Sequence, residues 1–122
     1  MHKVSMKIWG RKFKLGVMYE CFDDDISDAQ ENALNEFLDG KSELELIQEK
    51  VKKYCTDDEM SDGVKTIDNI FKYVIPKNIY VMRSERHHKI ALICNYKFDP
   101  EHGMVITFKD GKVNTIDDGG SI

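Results

Sequence analysis

Hydrophobic positions alternate with polar ones at both ends of the chain, whereas in the middle they recur with a helical period. The first stretch places Val4, Met6 and Ile8 on one face, and a second alternating run starts at Phe13, shortly after Gly10. Alternation with a period of two is typical of half-buried strands, and a glycine supplies the positive φ that a short connection commonly needs. The pattern predicts an N-terminal β-hairpin.

Two helices are predicted next, each with a marked N-terminus. Ser27 and Gln30 have the spacing of a capping box, in which each side chain pairs with a backbone N–H that the helix leaves unpaired. Gly40 is suited to end this helix. Ser42 and Glu45 repeat the capping-box spacing for a second helix. Because the link between them is short, the two helices are expected to be antiparallel neighbours.

A third helix and four strands complete the predicted order. Apolar residues recur at helical spacing through residues 64–74, and Pro76 is expected to end this helix because the residue before a proline avoids the α conformation. Asp110 and Gly111 separate two alternating runs, which is a strong hairpin signal. The strands are expected in the segments NIYVMRS, KIALICNYKF, MVITFK and KVNTI.

The order of these elements predicts an α+β fold. Strands followed by helices and then by more strands favour this class over a doubly wound parallel sheet. We expect a mostly antiparallel sheet, made of the N-terminal hairpin and a C-terminal four-strand meander, with three central helices packed on it. A chain of 122 residues is the size of one domain, so residues 1–122 are expected to share a single core.

Composition and charge narrow the functional classes. A net charge of −4 argues against a nucleic-acid-binding protein that relies on a basic surface. No apolar run approaches the roughly 20 residues that a membrane-spanning helix needs, so no membrane association is expected. The cysteines are odd in number and form no CxxC pair, which indicates reduced, buried thiols in a cytoplasmic protein. They are Cys21, Cys55 and Cys94.

The turn at residues 99–103 carries the most conspicuous chemical groups. Asp99, Glu101 and His102 could together act as a general acid–base set or contribute to a divalent-metal site. Pro100 and Gly103, however, are typical turn residues, and no further ligands accompany the group at metal-binding spacing. A strand connection is therefore the first interpretation, with no metal and no cofactor expected.

Further polar and aromatic candidates lie elsewhere in the chain. His87 and His88 stand beside basic residues in a predicted hairpin loop, where exposure is expected. Trp9 falls on the polar side of its strand, and packing under a helix is favoured over an exposed interface role. Two acidic clusters are interpreted as solvated loops or, alternatively, as a docking surface for a basic partner. The clusters are Asp23, Asp24, Asp25 and Asp57, Asp58, Glu59.

The chain resembles small bacterial domains of unknown function that share three features. These are paired strands at the start, a helix of the form xxQxxAxxxF, and an aromatic-Asp-x-Glu-His-Gly turn before a strand. The corresponding segments here are DAQENALNEF and YKFDPEHGMVITF. Such domains occur among the immunity or accessory proteins of bacterial toxin systems, so the resemblance implies binding rather than catalysis.

Three functional hypotheses follow, the last of which is a purely structural subunit. The first is a non-catalytic cytoplasmic protein-binding module, of the immunity kind that neutralises a toxin, with no catalytic residues. The alternative is a small hydrolase or metal-dependent enzyme that uses the turn at residues 99–103. The partner-binding candidates under the first hypothesis are the two acidic clusters together with Asp99, Glu101 and His102.

Overall fold

The computed structural model describes residues 2–20, 26–40, 42–61, 63–84 and 86–119 as a mixed α+β structure. Within these residues, no helix has the length and apolar character to cross a membrane. The helices are α1 (Asp28–Leu38) and α2 (Gln48–Asp57), and short 3₁₀ turns occupy Leu44–Ile47, Glu59–Ser61 and Ile70–Lys72. The strands are β1 (His2–Ile8), β2 (Arg11–Tyr19), β3 (Val74–Val81), β4 (Lys89–Tyr96), β5 (Met104–Lys109) and β6 (Lys112–Asp118).

The six strands form one sheet in the order β1-β2-β3-β4-β5-β6. All neighbours are antiparallel except β2 and β3, which run parallel from the Gly16–Asn78 pair to the Tyr19–Val81 pair. A parallel pair needs a crossover connection, and both helices lie in the segment that connects β2 to β3. The prediction of a mostly antiparallel sheet in an α+β fold is confirmed.

The predicted third helix is wrong. Residues 64–69 have no regular helical structure, the 3₁₀ turn Ile70–Lys72 follows, and β3 begins at Val74. The side chain of Asn69 accepts the backbone N–H of Phe71 at 3.0 Å and so caps the short turn. Pro76 is buried within β3 next to a register shift, where a residue without an N–H is tolerated. Helical spacing alone could not distinguish these apolar residues from a turn leading into a strand.

The predicted capping box of the second helix is also wrong. Ser42 Oγ accepts the N–H of Leu44 at 3.3 Å, which starts a 3₁₀ turn, and α2 itself begins only at Gln48. Glu45 does not reach back to its own helix. Its carboxylate accepts the backbone N–H of Trp9 at 3.0 Å, 36 positions earlier in the sequence. A tertiary contact has taken the side chain that the sequence pattern assigned to a local cap.

Trp9 is packed, as favoured from the sequence, because only 7% of its surface is exposed. It shares the tight β1–β2 turn with Gly10, and both have positive φ values, +48° and +83°. A tryptophan rarely adopts this conformation. It is held there by its ring Nε1–H, which donates to the carbonyl of Leu44 at 2.8 Å, and by the aromatic ring of Phe71.

The core lies between the helices and one face of the sheet. Its side chains alternate along each strand with residues that point away from the helices, and these second residues form what we call the open face. None of the described helices packs on the open face. Ala91 and Val105 lie there outside the main core, and they are 0% and 1% exposed.

Gln30 fixes the first helix to the sheet. The predicted capping box with Ser27 is confirmed, since each residue's side chain accepts the other's backbone N–H, at 3.2 Å and 3.0 Å. Gln30 is also 1% exposed, and its amide nitrogen donates to the carbonyls of Glu20 at 2.6 Å and Val81 at 3.3 Å. One side chain therefore joins the helix start to the ends of both parallel strands.

Replacing Gln30 with methionine tests this connection. Gln30→Met keeps the volume but removes the donor to the two strand-end carbonyls and the acceptor for Ser27, so we expect a loss of about 2–3 kcal/mol in the free energy of unfolding, measured with urea. Asn35→Met, at an exposed position of the same helix, is the matched control and should change stability by less than about 0.5 kcal/mol. Equal losses in the two variants would contradict a role for the Gln30 amide in joining α1 to the strand ends.

Candidate functional site

The turn at residues 99–103 is closed by its own aspartate. One carboxylate oxygen of Asp99 accepts the backbone N–H of His102 at 3.1 Å and lies 3.2 Å from ring Nδ1 of the same histidine. The Asp99 carbonyl accepts the N–H of Gly103 at 2.8 Å. These contacts give Asp99 and His102 a turn-closing role, which is the first interpretation reached from the sequence.

Gly103 fits where no larger residue can. Its φ is +74°, and a Cβ added there would stand 2.5 Å from the backbone carbonyl oxygen of Cys94. The turn therefore folds directly onto β4, and the glycine is needed for space as well as for conformation. The Gly103 carbonyl also accepts the N–H of Gly119 at 3.3 Å.

The remaining side chains of the turn lie at the surface. Glu101 is exposed, and about half of the His102 side chain is accessible to solvent. Within the described part of the chain, no group of three or more His, Cys, Asp or Glu residues is arranged to hold a metal ion. The observed contacts of Asp99 with His102 lie within the turn itself.

The acidic residues predicted to bind a partner make different contacts in the structure. Asp57 forms an exposed ion pair with Lys53 at 2.7 Å, and Glu59 is exposed. Asp58 is structural, because its carboxylate accepts the N–H of Met60 and the hydroxyl of Tyr96, each at 2.8 Å. The first cluster, Asp23, Asp24 and Asp25, lies outside the described residues.

The Asp58–Tyr96 bond brings two of the predicted patches together. Tyr96 ends β4, and its carbonyl accepts the N–H of Asp99 at 3.3 Å. The end of α2 therefore lies beside the turn at residues 99–103. Burial and the Asp58 carboxylate raise the pKa of Tyr96, so its hydroxyl remains a donor. The sequence could not reveal this neighbourhood because the two residues are 38 positions apart.

Two exposed apolar side chains were missed from the sequence. Leu46 is 80% exposed in the 3₁₀ turn before α2, and Met60 is 69% exposed in the 3₁₀ turn after it. Leu46 stands between the buried Leu44 and Ile47 and is out of phase with them, which was an available signal. Met60 is the one apolar residue of an otherwise polar segment. The two residues place one exposed apolar side chain near each end of α2.

A second missed arrangement involves the two adjacent histidines. They are partly buried rather than exposed, and each contacts a carboxylate through Nδ1: His87 with Asp110 at 2.7 Å and His88 with Glu36 at 2.8 Å. The backbone N–H of His88 and the ring of His87 hold the pKa of the Asp110 carboxyl below its ordinary value. These pairs tie the β3–β4 connection to α1 and to the β5–β6 turn.

A small cavity lies beside the His88–Glu36 pair. Its volume is about 50 Å³, and Ala33, Phe37 and Phe108 supply apolar walls. A space of this size holds a few water molecules and no organic substrate. The histidine pairs are therefore best explained as connections between elements.

A family model described as a domain of unknown function, DUF6985, matches residues 2–120. The chain belongs to the DUF6985 family. This confirms the resemblance to a small domain of unknown function. No curated protein and no solved structure gives a significant match.

The described cysteines of this DUF6985 chain are buried and free. Burial raises the pKa of the Cys55 thiol to about 11, and it also raises the pKa of Cys94. Thiols of this kind are protonated at neutral pH and make poor nucleophiles. The interpretation as structural thiols holds for these two, whereas Cys21 lies outside the described residues.

The space around Gly103 can be tested by substitution. In Gly103→Ala the added methyl group meets both an unfavourable φ and the Cys94 carbonyl, so we expect a loss of about 2–4 kcal/mol in the free energy of unfolding by urea. Gly40→Ala is the control, since Gly40 has φ +75° but nothing within 4 Å of the added Cβ. It should lose only about 1 kcal/mol, the cost of φ alone. Equal losses of stability in the two variants would mean that the backbone of β4 does not limit the space at Gly103.

The raised thiol pKa of Cys55 predicts slow alkylation. At pH 8, a thiol with a pKa of about 11 is ionised to roughly one part in a thousand, and burial blocks access as well. We expect iodoacetamide to leave Cys55 unmodified in the native DUF6985 protein and to alkylate it rapidly in urea, as measured by peptide mass spectrometry. Because the folded pKa is raised, the stabilisation from the neutral thiol is present at pH 8 and is lost as pH rises through about 11. Rapid native alkylation at pH 8 would contradict this burial.

Proposed function

We propose that this protein is a non-catalytic protein-binding module whose docking surface is α2 with the two 3₁₀ turns that flank it. The observation that carries the proposal is the exposure of Leu46 and Met60 at the two ends of the helix, 80% and 69%. Removing such side chains from water is a main source of binding free energy. The other large apolar side chain counted as exposed in the described structure, Ile26, is only 38% accessible.

The charge around this surface favours a basic partner. Residues 26–40 and 42–61 contain ten Asp and Glu residues but only three lysines. Several of these carboxylates serve internal contacts, as Glu45 does with Trp9 and Asp58 with Tyr96. Their charge still contributes to an acidic field, which speeds the approach of a basic protein and disfavours acidic ones.

Neutralisation of a toxin is the setting that we propose for this binding. It requires occlusion of a partner surface, and neither a cofactor nor a catalytic residue. The resemblance to immunity and accessory proteins supports this setting. The turn at residues 99–103 extends the proposed surface, because the Asp58–Tyr96 bond holds it beside the end of α2.

The proposal can be tested with the product of the adjacent gene as the candidate partner. Tagged protein is co-expressed with it, and the affinity of the purified pair is measured by calorimetry. Leu46→Ser with Met60→Ser should weaken binding at least tenfold, roughly 1.4 kcal/mol, while leaving thermal unfolding nearly unchanged because both side chains are exposed. The matched control is Lys12→Ser with Lys14→Ser on the open face, where binding should be retained.

Two results would refute the docking surface. One is the absence of any complex tighter than about 10 μM with the neighbouring gene product or with a partner recovered from the source cell and purified. The other is equal weakening by the α2 variant and by the open-face control.

A further inference from the structure

Three lysines stand in a row across the open face. Lys89 on β4 is directly opposite Lys109 on β5, and Lys109 is directly opposite Lys112 on β6. Each follows or precedes a residue that faces the helices, so all three side chains project from the open face. Like charges placed directly opposite each other destabilise a sheet. This lysine row is therefore a cost to the fold that an anion would remove.

The lysines of the row form no direct ion pair within the described residues, although the carboxylates of Glu20 and Asp117 line the same groove as Lys89 and Lys109. Asp110 is adjacent in sequence, but its two oxygens already accept the His88 backbone N–H and contact the His87 ring. The ammonium groups are left for solvent or for a ligand.

The lysine row borders a groove. A concavity of about 590 Å³ on the open face is lined by Lys89, Lys109, Tyr80, Thr107, Thr115 and Asp117, among other residues. At this place the β5–β6 ladder is irregular, because its register shifts between Thr107 and Phe108. The N–H of Thr115 donates to Thr107 Oγ1 at 3.0 Å, and a bulge of this kind bends a strand. The volume lies within the range of small-ligand sites.

The side chains of the groove indicate the class of ligand. Its cations are lysines, and an ammonium group is a compact point charge whose N–H donors can bind phosphate oxygens. Tyr80 contributes a ring to the groove, and the hydroxyls of Thr107 and Thr115, which hydrogen-bond each other at 2.6 Å, contribute polar atoms beside an uncharged portion of the ligand. Glu20 and Asp117 also line the groove and would repel further phosphates of a long polyanion. We propose that the groove binds a phosphorylated small molecule of about mononucleotide size, with its phosphate on Lys89 and Lys109.

The test uses three phosphomonoesters of different size: AMP, ribose 5-phosphate and glycerol 3-phosphate. Each is titrated into the ¹⁵N-labelled full chain at low salt, with adenosine and inorganic phosphate as comparison probes. We expect at least one of the three to shift the amide signals of Lys89, Thr107, Lys109 and Thr115 saturably. We also expect it to bind at least tenfold more tightly than adenosine and than inorganic phosphate.

Paired lysine variants locate the site. Lys89→Ala with Lys109→Ala should weaken the best phosphomonoester at least tenfold without lowering the urea midpoint, because the change removes a like-charge pair. Lys7→Ala with Lys12→Ala removes the directly opposed lysines of the β1–β2 hairpin on the same face and should leave the affinity unchanged.

Four results would overturn the proposal. The first is that none of the three phosphomonoesters gives a saturable shift up to about 10 mM. The second and third are that adenosine binds as tightly as AMP, or that inorganic phosphate binds as tightly as every ester. The fourth is that the two lysine variants weaken binding equally. The groove lies on the face opposite α2, so its failure leaves the partner-binding proposal standing. Likewise, if Leu46 and Met60 prove not to bind a partner, the proposal for the groove is unaffected.

Discussion

The parallel pairing of β2 with β3 constrains the rest of the fold, because parallel neighbours cannot be joined by a tight turn. The chain has to leave the sheet after Tyr19 and enter it again at Val74, and both helices lie in that connection. Gln30 fixes the geometry at the point of departure, since its amide bonds to the carbonyls of Glu20 and Val81. All other strand pairs are antiparallel neighbours in sequence, so this one crossover places the whole helical layer on a single face.

This one-sided arrangement separates charge. The strands carry nine Lys and Arg residues against two Asp, whereas the described residues from 26 to 61 carry ten acidic residues against three lysines. A net charge of −4 therefore conceals two layers of opposite sign. The net charge alone therefore cannot exclude an anionic ligand, because a ligand meets the local electric field of one face and not the charge of the whole protein.

Local signals in the sequence predicted the elements that depend on nearby residues. The N-terminal hairpin, the Ser27–Gln30 capping box and the Asp110–Gly111 turn are all present, since each is decided within a few positions. Contacts between distant residues were beyond such reasoning. Glu45 was assigned to a local cap because nothing in its neighbourhood reveals that Trp9 competes for its carboxylate.

The candidate sites divide in the same way. The turn at residues 99–103 was recognised as a turn from its proline and glycine, and its aspartate closes it. The row formed by Lys89, Lys109 and Lys112 was invisible, because it exists only once strand register places three separate lysines opposite one another. Register is set by the burial of the opposite face, which a single segment of sequence does not contain.

Trp9 is an intrinsic fluorescent reporter of how the elements of the chain pack together. It is the chain's single tryptophan, and its ring contacts the carbonyl of Leu44, 35 positions away. The indole is buried where the segment before α2 and the ring of Phe71 both pack on the β1–β2 turn. Its fluorescence therefore follows the packing of the β2–β3 connection on the sheet and not the formation of the β1–β2 hairpin alone. Helix content measured by circular dichroism follows a different event. Comparing the two signals during refolding separates secondary structure formation from closure of the crossover.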